Sequence, residues 1–182
     1  MTVEALASLL LADVNACRAL EAVREAGPGG AYIAAGFVRN RVWDSFYIPR
    51  PTADSTDTDV VYFDRDDISP VRERQYERAL EGLYAGQQWQ VRNQARMHMR
   101  AGDAPYASLS DALAHWPETA TAVAVRLNVH GGLDVVAPFG LDDLFAHRLR
   151  PTPAIMKRDP SIFEHRVVSK GWFERWPNLT RV

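Results

Sequence analysis

Two aspartates separated by one residue stand directly before an apolar run. Asp57 and Asp59 enclose Thr58, and residues 60–63 are Val, Val, Tyr and Phe. Side chains two apart on a strand point to one face, so these carboxylates form a pair that is costly without a cation. Carboxylate oxygens suit Mg²⁺ or Mn²⁺, which usually also bind substrate phosphates. The pattern predicts a metal site for phosphoryl chemistry; the alternative is a solvated sequence that only starts a turn.

A glycine lies where an apolar run gives way to a helical pattern. Residues 31–37 are predicted as a buried strand and residues 38–46 as a helix. At this junction Gly36 lets a phosphate approach the backbone, and free N–H groups at the helix start favour anions. Arg39 can add a charge-assisted hydrogen bond to the phosphate, with Asn40 beside it. The alternative is that Gly36 only relieves crowding in a tight turn.

Polar side chains crowd the end of a third predicted strand, residues 89–96. Asn93, Gln94 and Arg96 lie in its last four positions, and His98 follows. We interpret this stretch as a wall of the same site, with Arg96 on phosphate and Asn93 or Gln94 on base or sugar. A half-exposed edge strand would show the same alternation, and a lone histidine near an apolar run is more often structural.

Periodicity and turn signals arrange the chain as alternating helices and strands. We expect an α/β (α+β) fold with a mixed sheet flanked by helices, to which a C-terminal hairpin and helices are added. Trp43, Trp172 and Trp176 are predicted to lie in the core. The predicted order is helix 3–25, strand 31–37, helix 38–46, strand 59–63, helix 70–84, strand 89–96, helix 108–114, strands 121–129 and 133–137, helix 141–149 and helix 161–176.

The composition is that of an ordinary globular chain of 182 residues. The net charge is −2 and there is no long basic run, which argues against a dedicated duplex-DNA surface. The single cysteine, Cys17, fits a reducing compartment, and no apolar run is long enough to span a bilayer. We expect a cytoplasmic, bacterial-type protein with no membrane partner. One domain is expected over residues 1–182, with a core at about 1–100 and an elaboration at about 101–182.

A strand–glycine–helix unit followed by a strand that opens with Asp-x-Asp is the ground plan of the DNA polymerase β-like nucleotidyltransferase superfamily, which this chain resembles. Residues 36–40 (GFVRN) also look like the GGxVRD element of tRNA CCA-adding enzymes and poly(A) polymerases, with Phe37 and Asn40 as departures. Most of the chain resembles an uncharacterised bacterial family of nucleotidyltransferase-like proteins. The similar segments are residues 34–44, 58–64, 93–98, 108–127 and 137–145.

The resemblance implies a fold, an activity and roles for named residues. It implies an enzyme that moves a nucleoside monophosphate from an NTP to an acceptor, with Mg²⁺ (or Mn²⁺) as cofactor. Asp57 and Asp59 become the catalytic metal ligands, and Gly36 belongs to the turn that binds the nucleotide phosphates. The acceptor stays open among a small molecule, an RNA and a protein.

One departure from the superfamily leaves a second hypothesis open. The superfamily usually carries a third acid on the next strand, whereas residues 89–98 contain no Asp or Glu. Gln90 or Asn93 then stands where the acid is expected, or Asp134 supplies it from another strand. Without a third acid, the alternative is a catalytically degenerate nucleotide- or RNA-binding domain on the same fold.

Overall fold

Five strands form a central sheet in the computed structural model, which describes residues 2–51 and 57–182. In sheet order β3-β2-β1-β4-β5, only β2 and β3 run parallel, and the other neighbours are antiparallel. The expected mixed sheet, including the hairpin of β4 and β5, is therefore confirmed. The strands are β1 (Tyr32–Ala34), β2 (Thr58–Tyr62), β3 (Trp89–Asn93), β4 (Ala124–Leu127) and β5 (Leu133–Val136).

Helices flank this sheet, and several begin at the capping residues that the sequence offers. The Ser108 hydroxyl accepts a hydrogen bond from the Asp111 amide, and Ser69 caps a helix whose first residue is proline. The helices are α1 (Val3–Leu11), α2 (Val14–Ala26), α3 (Gly36–Asp44), α4 (Pro70–Leu83), α5 (His98–Ala101), α6 (Leu109–Ala114), α7 (Asp142–Phe145), α8 (Pro153–Arg158), α9 (Ser161–Ser169) and α10 (Trp172–Arg175). A short parallel pair of strands, β6 (Arg148–Leu149) and β7 (Thr180–Arg181), joins the C-terminal end of the chain to the segment that follows α7. Among the described residues, no helix combines the length and the apolar character needed to cross a membrane.

Alternate residues of the strands enter two apolar clusters. Ile33, Val60 and Val91 belong to the main core, into which α2, α3 and the C-terminal helices also pack. Ala34 and Val61, their neighbours along the chain, belong to a smaller cluster on the other face. The period of two along a strand separates the faces, and Asp59 shares its face with Val61.

Two predicted helices are each split in the structure. Residues 3–25 form α1 and α2, because Asp13 accepts hydrogen bonds from the Asn15 and Ala16 amides and starts a new helix. Residues 161–176 form α9 and α10, because Gly171 adopts a φ of 57° that a continuous helix does not allow. Apolar periodicity continues through both breaks, so it could not reveal them.

Among the other boundaries that differ from the prediction, two are set by local geometry. The strand expected over 89–96 ends at Asn93, whose side chain accepts from the Ala95 amide and turns the chain into a 3₁₀ turn at Gln94–Arg96. The helix expected over 141–149 ends at Phe145, and the chain turns at His147 with a φ of 52° before β6. Local side-chain and backbone geometry thus ended both elements early.

A buried polar contact fixes the C-terminal helices on α3. Asp44 accepts from the Trp176 indole N–H at 2.8 Å and from the Arg175 guanidinium at 3.0 Å. Trp176 is 1% exposed and packs edge-on against Trp43 at 5.0 Å between ring centroids. The three tryptophans predicted for the core, Trp43, Trp172 and Trp176, all lie in it.

We predict that Asp44→Ala lowers the free energy of unfolding by about 3 kcal/mol, because the buried Trp176 indole N–H and the part-buried Arg175 guanidinium lose this acceptor. Urea denaturation followed by tryptophan fluorescence measures the loss. Asp66→Ala removes an exposed carboxylate and should change stability by less than about 0.5 kcal/mol. Equal stabilities of the two variants would contradict the anchoring role of Asp44.

Candidate functional site

The strand arrangement brings three chain segments to one end of the sheet. β1 is antiparallel to β2, so its last residue, Ala34, pairs with Asp59 near the start of β2. β4 is antiparallel to β1, so its first residue, Ala124, pairs with Ala34 as well. The start of α3, the start of β2 and the segment before β4 therefore meet.

A cavity of about 420 Å³ lies where these segments meet, and we call it the site cavity. It brings together four of the residues singled out in the sequence: Gly36, Arg39, Asp57 and Asp59. Its other lining residues are Ala35, Gln90, Thr121, Arg166, Lys170 and Trp172. The acidic pair and the glycine turn, which are about twenty residues apart in the chain, thus share one cavity.

The two carboxylates of the site cavity sit in different surroundings. Asp57, just before β2, is exposed and accepts a hydrogen bond from the Gln90 side-chain amide. Asp59 is partly buried, and this burial, followed by the nearby charge of Asp57, raises its pKa to about 6, against the opposing charge of Arg39. Loss of water around Asp59 and repulsion from Asp57 both disfavour its charged form.

Arg39 is a buried cation at the wall of the site cavity, only 7% exposed. Its Nη1 donates to the Thr121 hydroxyl at 2.9 Å, its Nη2 to Asn40 Oδ1 at 2.8 Å, and the guanidinium lies 4.6 Å from the Trp172 ring. Burial lowers its pKa to about 10, so it stays charged near neutral pH. Nε is buried and has no hydrogen-bond acceptor in residues 2–51 and 57–182.

The turn at Ala35 and Gly36 lies next to the side-chain nitrogens of Arg39 and Asn40. A Cβ on Gly36 would lie 3.6 Å from Arg39 Nη2 and 3.7 Å from Asn40 Nδ2. Asn40 itself lines a neighbouring cavity of about 730 Å³ and reaches the site cavity only through its bond to Arg39. The glycine therefore leaves open the space directly above the two donors.

Aligned without a gap, AGFVRN places Ala35 at the first glycine of GGxVRD and Phe37 at its variable position. Phe37 is therefore not a departure from this element, whereas Ala35 and Asn40 are. Ala35 has φ 56° and ψ −125°, a conformation that glycine adopts more readily than alanine. The turn therefore keeps a backbone conformation typical of glycine although residue 35 is alanine.

Asn93 and Arg96, also predicted for the site, lie at the opposite end of β3. Asn93 is 0% exposed, and its side-chain amide donates to the backbone carbonyls of Asp64 and Asp67 at 2.6 and 2.9 Å. Arg96 donates to the buried Glu73 carboxylate, with Nε at 2.7 Å from Oε1. These polar groups hold the loop before α4 and the start of that helix, and neither Asn93 nor Arg96 lines the site cavity.

The third acid is not found at either position suggested for it. The parallel register of β2 and β3 sets Gln90 beside Asp59, so an amide occupies that place. Asp134 lies on β5, three strands from β2, and its carboxylate is 2.9 Å from the Arg126 guanidinium. Neither Asn93 nor Asp134 therefore completes the acidic pair.

Four residues that line the site cavity were not predicted to belong to a site: Thr121, Arg166, Lys170 and Trp172. Arg166 and Lys170 are four residues apart, a spacing that places both on one face of a helix. That spacing was visible in the sequence, but nothing in it showed which face meets Asp59. Only the packing of the C-terminal helices on α3 brings them to the cavity.

The carboxylate oxygens in the site cavity suit a hard divalent cation. Asp57 and Asp59 offer carboxylate oxygens. Burial and the charge of Asp57 raise the pKa of Asp59, so a cation bound between them would favour its ionised form. Within residues 2–51 and 57–182 there is no group of three or more His, Cys, Asp or Glu placed to hold a metal. Mg²⁺ is compatible with two carboxylates, because it usually completes its shell with water and substrate phosphates.

The sequence and the fold were compared with known proteins. The model of a family described as nucleotidyltransferase matches residues 21–181. No curated protein matches the chain. A solved NMR structure, described as revealing a CCA-adding enzyme head domain, is 30% identical with a TM-score of 0.83, over 98% of this chain and 95% of that one.

Two more distant structures share the fold. A CCA-adding enzyme in complex with CTP is 17% identical with a TM-score of 0.57, over 93% of this chain and 47% of that one. The Thermotoga maritima CCA-adding enzyme complexed with tRNA is 16% identical with a TM-score of 0.59, over 100% of this chain and 42% of that one. The chain spans less than half the length of these two enzymes.

Because Asp59 is partly buried, removing its charge is predicted to stabilise the folded protein. The pKa of Asp59 is about 6 in the folded chain against 3.8 for a free carboxyl, so the metal-free protein loses stability as the pH rises between these values. Asp59→Asn should therefore raise the free energy of unfolding above pH 6 by at most about 3 kcal/mol, and the gain should vanish towards pH 3.8.

Denaturation in urea with a chelator present, repeated across this pH range, measures the gain. Asp66→Asn, at an exposed position, is the matched control and should give no pH-dependent gain. A loss of stability in Asp59→Asn at neutral pH would show that the carboxylate is satisfied by its surroundings.

Proposed function

Because the chain belongs to this nucleotidyltransferase family, we propose that it transfers a nucleoside monophosphate from an NTP to an acceptor hydroxyl and releases pyrophosphate. One observation supports this most directly: the acidic pair of Asp57 and Asp59 shares a cavity with Gly36 and Arg39. Carboxylates for a metal and a cation for phosphate are the two requirements of phosphoryl chemistry at a protein site.

Asp57 and Asp59 are proposed to hold Mg²⁺ (or Mn²⁺). When bound, the metal would neutralise phosphate charge and make the acceptor hydroxyl easier to deprotonate. Gln90 keeps the Asp57 carboxylate in place through its amide hydrogen bond. Asp59 is fixed by its pairing in the middle of the sheet, between Ala34 and Gln90.

Gly36, Arg39 and Asn40 are proposed to seat the triphosphate. The guanidinium of Arg39 is fixed by Thr121, Asn40 and the Trp172 ring, so little side-chain freedom is lost when a phosphate binds. Gly36 leaves the donors accessible, and Asn40 acts by orienting Arg39. Asn93 and Arg96 do not line the site cavity and have no role in this proposal.

The nucleotide and the acceptor are proposed from the structural neighbours. Those neighbours are CCA-adding enzymes determined with CTP, with ATP and with tRNA. We therefore propose CTP or ATP as the donor and an RNA hydroxyl as the first acceptor class to test. The chain spans less than half the length of these distant neighbours, so their RNA-binding surfaces are not carried over to it.

Replacing both Asp57 and Asp59 by alanine should abolish Mg²⁺-dependent NTP binding, because the cation loses its two carboxylate ligands. Isothermal titration of CTP and ATP, with Mg²⁺ and with chelator, measures the effect. Glu21→Ala with Glu25→Ala removes two exposed carboxylates from α2 and serves as the control. If the aspartate variant binds NTP as tightly as wild type in Mg²⁺, the proposed metal site is wrong.

Gly36→Ala should weaken NTP binding about tenfold while leaving the melting temperature nearly unchanged. The new methyl lies at ordinary contact distance from Arg39 Nη2 and Asn40 Nδ2, so the protein accommodates it, but the methyl occupies the approach to the donors. Gly82→Ala on α4, where a Cβ meets nothing within 4 Å, is the matched control. Unchanged NTP affinity in Gly36→Ala would show that phosphate does not approach this turn.

The amide at Gln90 is the observation that favours a second candidate, a nucleotide-binding domain without turnover. Its register beside Asp59 leaves the pair without a third carboxylate to accept the proton of the acceptor hydroxyl. Incubation with α-³²P-labelled CTP or ATP and total small RNA distinguishes the two. Transfer is supported if the wild-type protein labels RNA and the Asp57 and Asp59 double variant does not. The second candidate is supported if the wild-type protein binds the nucleotide but labels no RNA.

A further inference from the structure

Two cationic side chains near the C-terminus line the same cavity as the acidic pair. Arg166 lies on α9 and Lys170 caps its C-terminal end, four residues later. Both are outside the strand–glycine–helix unit that holds Gly36, Arg39 and the aspartates. The C-terminal part of the chain thus supplies a cationic wall to a site whose metal ligands come from β2.

Arg166 is held in place by a fully buried carboxylate. Its Nε donates to Glu118 Oε1 at 2.6 Å and its Nη2 to Oε2 at 3.3 Å, while Glu118 is 0% exposed. A guanidinium has five N–H groups, so this fork leaves three for another acceptor. The Arg166 side chain remains 30% exposed, and the guanidinium lies 5.7 Å from the Trp172 ring. Arg166 is therefore a rigid cation with donors still available at the cavity.

Lys170 differs from Arg166 because its charge serves no internal contact. It is exposed, and no hydrogen bond or ion pair joins its ammonium group to any residue in 2–51 or 57–182. A structural ion pair explains Arg166 alone, since Glu118 needs a partner, but it does not explain a lysine beside it at the cavity. A ligand with several negative charges explains both.

We propose that Arg166 and Lys170 bind the β- and γ-phosphates of the NTP and the pyrophosphate that leaves, with Glu118 as the residue that positions Arg166. This inference rests on the proposed function and adds the leaving-group side of the same site. The acceptor oxygen forms a bond to the α-phosphorus, the bond from that phosphorus to the α–β bridging oxygen breaks, and its electron pair stays on pyrophosphate. The acceptor proton passes to solvent. Fixed cations at the leaving oxygen stabilise the charge that develops there.

The sequence provides an internal control, because Lys157 and Lys170 are the only lysines. Lys157 is exposed on α8 and does not line the site cavity. We expect inorganic pyrophosphate to slow acetylation of Lys170 by an N-hydroxysuccinimide ester about fivefold or more, with Lys157 unaffected, because a bound anion shields the amine. Peptide mass spectrometry reads both sites in one sample. Equal acetylation of Lys170 with and without saturating pyrophosphate would overturn the proposal.

Affinity measurements test the same claim without chemical modification. Lys170→Ala should weaken pyrophosphate binding about tenfold, and Lys157→Ala should leave it unchanged. Arg166→Lys keeps the fold and a positive charge beside Glu118, but it loses the several N–H donors of the guanidinium. We therefore expect weaker pyrophosphate binding at an unchanged melting temperature. Wild-type affinity in both Lys170→Ala and Arg166→Lys would overturn the proposal, as would a wild-type protein that does not bind pyrophosphate.

Measuring in chelator and in Mg²⁺ separates this proposal from the proposed function. In chelator the cationic wall acts without metal, so the effects of Lys170→Ala do not depend on Asp57 and Asp59. If the aspartate double variant keeps Mg²⁺-dependent NTP binding while Lys170→Ala weakens pyrophosphate binding, the metal site fails and the cationic wall stands. The opposite pattern leaves the metal site in place and removes the cationic wall.

Discussion

The buried guanidinium of Arg39 is the interaction on which the site depends. A buried cation is costly unless its donors and its charge are compensated. Within residues 2–51 and 57–182, no carboxylate forms an ion pair with Arg39. Thr121 and Asn40 accept its hydrogen bonds, and the ring of Trp172 covers its face at 4.6 Å. Because these partners come from α3, the segment before β4 and α10, the position of Arg39 requires that all three pack correctly.

Charges alternate from the sheet to the C-terminal helices. The carboxylates of Asp57 and Asp59 come first, the guanidinium of Arg39 lines the same cavity, and Arg166 follows with Glu118 buried behind it. Each buried charge has an opposite charge within its electrostatic reach, which is what lets the ions remain ionised away from water. A cation would contribute most at the acidic pair, where burial and the charge of Asp57 raise the pKa of Asp59.

The two ends of β2 and β3 have different roles. At the start of the strands, Asp59 and Gln90 face a cavity, and their neighbours are small residues such as Ala34. At the far end, the side chains of Asn93, Glu73 and Arg96 are consumed by internal hydrogen bonds that hold the loop before α4. Polar residues of similar type are thus functional candidates at one end and structural at the other.

The sequence by itself determined the alternating helices and strands, the mixed sheet, the tryptophan core and the pairing of Asp57 with Asp59, because periodicity, capping and turn chemistry are local. It also indicated the glycine turn with Arg39. Only the tertiary structure decided that Asn93 and Arg96 serve the fold and that Gln90 occupies the place beside Asp59. It likewise brought Arg166 and Lys170, about a hundred residues from the acidic pair, to the cavity. Strand register and helix packing set these distances, and both depend on contacts between segments far apart in the chain.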